Sequence, residues 1–135
     1  MKGHPIPIIA CLQLLLAFVL TAGCATIFRP CIHEDGSFGS CHWAGCVLVA
    51  LGTVLVLQAF AQLLLRSDET RLGLALASLP VAVMTLLVPG TLVDLCCVET
   101  MRCLSVMRPA ALLTGGLLVI TLAAECAILS RRLRR

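Results

Sequence analysis

The residues best equipped for chemistry in this chain are sulfur and imidazole groups gathered in two short polar stretches. One runs Cys31-Ile32-His33-Glu34-Asp35-Gly36-Ser37-Phe38-Gly39-Ser40-Cys41-His42-Trp43, and the other holds Cys96, Cys97, Met101, Cys103 and Met107. Three chemistries fit these residue types. The first is structural disulfide formation among Cys31, Cys41, Cys96, Cys97 and Cys103, expected wherever a loop faces an oxidising compartment. Pairing within each loop would clip it, and a loop closed over about ten residues gains up to about 3 kcal/mol in the chain-entropy view. Pairing between loops would staple the two stretches together, and sequence does not choose between these connectivities. Five is an odd number, so one thiol is left over unless Cys24 or Cys46 reaches the same surface.

The second chemistry is thiol–disulfide exchange through Cys41 and Cys103. It is weakened by the absence of any Cys-x-x-Cys, the spacing that tunes thiol acidity and leaving ability. The third is a metal or haem site drawing on His42, Cys41 and Met101, with soft sulfur and imidazole suited to copper(I) or zinc. The spacing matches no zinc signature, and His42-Trp43 is more simply an interfacial anchor. No cofactor is predicted. Cys11, Cys24, Cys46 and Cys126 fall in or at the ends of apolar runs, where cysteine packs as a small hydrophobe.

A second group of candidates lies within apolar sequence. Glu125 falls about 9 Å inside the basic tail by helix rise, and Gln13, Gln58 and Gln62 sit at comparable depth in other runs. Ionisable groups inside a membrane are costly and raise a functional hypothesis. The plainer reading is a hydrogen-bonded structural cluster, or Glu125 reaching out to Arg131 or Arg132. A small multidrug exporter would carry its acid in the first helix, where this chain has Gln13. No nucleotide loop, catalytic triad or separated carboxylate pair is present, so an enzyme is disfavoured.

The elements that position these residues follow from composition. Of 135 residues, 60% are hydrophobic and 13% charged, and the mean hydropathy is +1.07. A soluble core of this size cannot bury so much apolar side chain, so the lipid bilayer is the expected partner. Apolar runs at about residues 6–28, 43–65, 72–95 and 109–129 each reach the roughly 20 residues a spanning helix needs. The predicted fold is therefore all-α: an integral membrane four-helix bundle forming one domain over residues 1–135. It is built as two helical hairpins with cysteine-containing outer loops.

Basic residues orient it. Lys2, Arg66, Arg71, Arg131, Arg132, Arg134 and Arg135 fall on one side, against Arg29, Arg102 and Arg108 on the other. The positive-inside rule then places both termini and the Arg66–Arg71 turn in the cytoplasm of a cell in whose inner membrane the chain lies. The basic tail lacks interleaved aromatic residues, which argues against a nucleic-acid partner. Leu20-Thr21-Ala22-Gly23-Cys24 resembles a lipoprotein cleavage site, but the apolar run continues to Phe28 as a span would.

Within the runs, Gly45 and Gly52 lie one heptad apart, and Ala10, Ala17, Thr21 and Cys24 share a face of the first run. Small residues so placed let helices approach closely. Pro80 should kink the third helix, and Pro89-Gly90 should end it, leaving Thr91 to Leu95 as an interfacial turn. Pro109 suits the first turn of the fourth. Residues 1–66 and 71–135 share the order helix, cysteine-bearing loop, helix, as two hairpin repeats would.

Cys31, Asp35-Gly36-Ser37 and Cys41-His42-Trp43, followed by Cys97, Met101, Cys103 and Pro109-Ala110, give the chain a resemblance to a bacterial family of small four-span membrane proteins. That family is itself a domain of unknown function. The resemblance implies four helices and a full-length first span. This chain departs from it in the apolar Ala44-Gly45-Cys46-Val47-Leu48, where the family carries polar residues and an acid, and in the additional Cys96. The expected role is a non-enzymatic subunit, accessory or sensor component of a larger membrane assembly, with a membrane protein such as a transporter as partner. A membrane thiol–disulfide redox protein or an outer-face metal or haem-binding protein is the alternative.

Overall fold

Four stretches of the chain are α-helical in the computed structural model, which describes residues 5–26, 40–93 and 103–134. They are α1 (Pro5–Thr26), α2 (Ser40–Leu64), α3 (Asp68–Leu87) and α4 (Arg108–Leu133), the last entered through a single π-helical turn at Cys103–Met107. All four are long and apolar enough to cross a membrane. In hydrocarbon a helix satisfies each backbone N–H and C=O within its own segment, which is why apolar runs of this length take that form.

The helix ends follow local chemistry. Ser67 caps α3, accepting from the Thr70 backbone N–H at 3.4 Å, while Asp68 and Glu69 sit in the first turn where the helix dipole favours acids. The third run was expected to reach Leu95, but the helix stops at Leu87. The anticipated break at Pro89-Gly90 is present. Gly90 takes φ +97°, a left-handed value that glycine adopts without steric penalty, and the turn closes through Leu92 N–H to Leu87 C=O and Val93 N–H to Val88 C=O. Arg108 packs over that glycine. Pro109 stands in the first turn of α4 as expected. At its other end α4 outruns the expected limit at Leu129 and continues through Arg131 and Arg132 to Leu133. The first helix runs through Cys24, which is buried, to Thr26.

The helices form two tight hairpins, α1 against α2 and α3 against α4. These join through α1 against α4 and α2 against α3. The buried positions explain the fit. On α1 they include Ala10, Gln13, Ala17, Leu20 and Cys24, and on α4 they are Ala111, Gly115, Leu118, Leu122, Glu125 and Leu129. Both sets alternate steps of three and four, the spacing that keeps one seam facing its neighbours in an antiparallel bundle. The core is narrow because alanine and glycine line much of it.

Each hairpin has a close crossing of glycine against threonine, and the two match. A Cβ on Gly52 of α2 would strike the Thr21 side chain of α1 and lie 3.4 Å from its Cα. A Cβ on Gly115 of α4 would lie 2.7 Å from Thr85 Oγ1 of α3 and 3.0 Å from Leu86 Cδ2. Both threonines return their hydroxyl to their own helix, Thr21 to the Ala17 carbonyl and Thr85 to the Ala82 carbonyl. The apposition of glycine and threonine in both halves supports the repeat suggested by the order of elements.

Candidate functional site

The polar side chains of the spans converge on one layer of the bundle, near the end that carries the Arg66–Arg71 turn. Gln13 and Glu125 occupy seam positions on α1 and α4, and both are fully enclosed, at 2% and 0% exposure. Gln13 Nε2–H donates to Glu125 Oε2 at 2.8 Å. This bond joins the first and last helices. Of the two readings from sequence, this bond fits the hydrogen-bonded cluster and not a Glu125 that reaches out to Arg131 or Arg132, because the carboxyl lies on the buried seam of α4 and the arginines on its exposed end. Thr114 and Thr121 of α4 donate their hydroxyls to the carbonyls of Ala110 and Leu117 in their own helix.

Gln62 lies one seam away on α2 and is fully buried. Its backbone carbonyl accepts from Arg71 Nε–H at 2.9 Å, so the first turn of α3 is tied to the last turn of α2. Ser78 of α3 completes the layer, with its hydroxyl donated to the Leu74 carbonyl at 2.8 Å. Between Gln13, Gln62 and Ser78 is a cavity of about 10 Å³, closed by Leu55, Ala59, Leu118 and Leu122. Space of this order admits one water and no organic substrate.

The layer is not internally satisfied. Gln13 Oε1, both amide atoms of Gln62, Gln58 Oε1 and Glu125 Oε1 are buried without a hydrogen-bond partner. Glu125 holds the NH₂ of Gln13, which aims the Gln13 carbonyl away from it. Of the four intramembrane polar residues singled out from sequence, Gln13, Gln62 and Glu125 are buried in the interior and Gln58 is half-buried one turn from Gln62. Sequence reasoning missed Ser78 and Arg71. A count of three and four residues along α3 would have found Ser78, which shares the seam of Ala75, Ala82 and Thr85.

At the opposite end of the bundle, Cys41 lies in the first turn of α2 and Cys103 opens the π-helical turn, so both backbones are at the same membrane surface. Cys31, His33, Cys96, Cys97 and Met101 lie outside the described residues. His42 and Cys46 follow on α2, with Cys46 Sγ 3.7 Å from His42 Nε2. The His42 ring meets Trp43 edge to face, with centroids 6.0 Å apart and planes at 78°. Cys46 was read from sequence as a packing residue, yet it is exposed, while its neighbours Ala44 and Gly45 are buried. The i,i+4 spacing of a helix is the signal that pairs it with His42. Cys11, Cys24 and Cys126 are also free thiols. Among the described residues no three His, Cys, Asp or Glu side chains cluster as a metal-binding group.

Comparison with known proteins is sparing. The family described as "Domain of unknown function (DUF4418)" matches residues 13–128, a range that includes both ends of the Gln13–Glu125 bond. No curated protein and no solved structure matches.

Proposed function

The chain belongs to the DUF4418 family, and from that premise we propose that it is a non-enzymatic component of a larger membrane assembly, working as an accessory or sensor subunit. One observation carries this reading. The polar groups Gln13, Gln62 and Glu125 are enclosed at membrane depth beside a space of about 10 Å³, with Gln13 bonded to Glu125, while large apolar side chains on all four helices face outward. Leu57 and Phe60 of α2 and Leu113 and Ile120 of α4 are each more than half exposed. A bundle arranged this way has its interior committed to holding the hairpins together. Its outer surface and its cysteine-bearing loops are then the parts available to a partner.

In this proposal the chain lies in the inner membrane with both termini in the cytoplasm, as the excess of basic residues on that side favours. Disulfides among Cys31, Cys41, Cys96, Cys97 and Cys103 hold the outer loops. Non-reducing mass mapping of the purified chain should find four of these five cysteines paired, with Cys11 and Cys126 unmodified. The partner is tested by photo-crosslinking side chains placed at Leu57, Phe60 and Leu113 in native membranes. A stoichiometric adduct with one integral membrane protein at one or more of these positions, retained through mild-detergent purification, is the expected result. Adducts with lipid alone at all three positions would overturn the reading.

A further inference from the structure

We propose that His42 and Cys46 form a chelating site for a thiophilic d¹⁰ cation, zinc(II) or its soft analogues, at the membrane surface where α2 begins. The inference is independent of the accessory-subunit reading, since it rests on two side chains of one helical turn. A zinc ion bound by a thiolate at about 2.3 Å and an imidazole nitrogen at about 2.0–2.1 Å, in tetrahedral geometry, holds those donors roughly 3.6 Å apart. Cys46 Sγ and His42 Nε2 stand 3.7 Å apart, so the pair already has the bite of such a chelate with no movement of the backbone.

Three features favour a ligand role over a packing role. Cys46 is exposed on the outside of the bundle, where a buried spacer would have been enclosed with Ala44 and Leu48. The edge-to-face contact with Trp43 restrains rotation of the His42 ring, keeping the nitrogen near the sulfur. The donors are one sulfur and one imidazole, the combination that selects zinc and copper(I) over magnesium or calcium. On binding, the metal–sulfur bond forms as the Cys46 thiol releases its proton to solvent. The two donors of this helical turn fill two positions of a tetrahedral ion and leave the others to water or further donors.

The test uses the full chain, reduced and metal-free, in lipid nanodiscs. N-ethylmaleimide alkylation of Cys46 is followed by mass spectrometry of the peptide that carries it, so that the other thiols do not contribute. Zinc(II) should slow Cys46 alkylation about tenfold or more and leave Cys11, on another helix, unchanged. His42→Ala should abolish that protection. So should His42→Phe, which keeps an aromatic ring against Trp43 and removes the nitrogen, with helical content checked by circular dichroism for both variants. Alkylation of Cys46 that zinc does not slow, or protection that persists in His42→Phe, would overturn the proposal.

Discussion

Gln13 and Glu125 are the pair on which the interior depends most directly. Gln13→Leu would leave a buried carboxyl with neither oxygen bonded, and the expected loss is about 1–2 kcal/mol, the upper range for an interhelical hydrogen bond in a membrane. Glu125→Gln keeps an acceptor for Gln13 Nε2–H and should cost less. Replacing both residues with leucine removes donor and acceptor together, so the double variant should recover part of the single-variant loss. Steric trapping in bicelles measures each, and a double variant no better than the sum of its singles would show that the two side chains are uncoupled. Which residues were polar at depth was legible in the sequence, because charged and amide groups stand out in an apolar run. Their partners were not, since a contact between residues 13 and 125 depends on how four helices are arranged.

At the scale of the helix, the two glycine–threonine crossings make opposite predictions for neighbouring glycines. Gly52→Ala would strike Thr21 Oγ1 and crowd Thr21 Cβ at 3.3 Å, an atom that moves only with its backbone, and should destabilise by about 1–3 kcal/mol. Gly115→Ala meets side-chain atoms that can shift, and should cost less than Gly52→Ala. Gly116 has nothing within 4 Å of its would-be Cβ, so Gly116→Ala should stabilise α4 by up to about 1 kcal/mol through helix propensity. Thermal unfolding of the three variants in one detergent gives the order, and a Gly116→Ala protein less stable than Gly115→Ala would contradict the packing described. The end of α3 shows what local sequence can determine. Pro89-Gly90 stops the helix because proline cannot donate and glycine accepts a left-handed turn. The continuation of α4 through Arg131 and Arg132 was less legible, since arginine reads as a boundary in hydropathy although it is a good helix former.

For the molecule as a whole, the charge pattern and the three-residue connection between α2 and α3 lead to one topology. Reporters fused after Arg135 and inserted after Ser67 should both be cytoplasmic, and maleimide added outside intact cells should reach neither region. A reporter at Ser67 on the side opposite Arg135 would be incompatible with four spans. The residue order by itself determined that the bilayer is the solvent, that four helices cross it, and that sulfur is concentrated in the loops. Each of these follows from composition and run length, which are properties of single segments. Only the tertiary structure decided that Glu125 turns inward to Gln13, that Arg71 binds the Gln62 carbonyl, and that the glycines at 52 and 115 face threonines of the neighbouring helix. Those outcomes depend on the rotation of each helix about its own axis, which is set by the seam it shares with its neighbours.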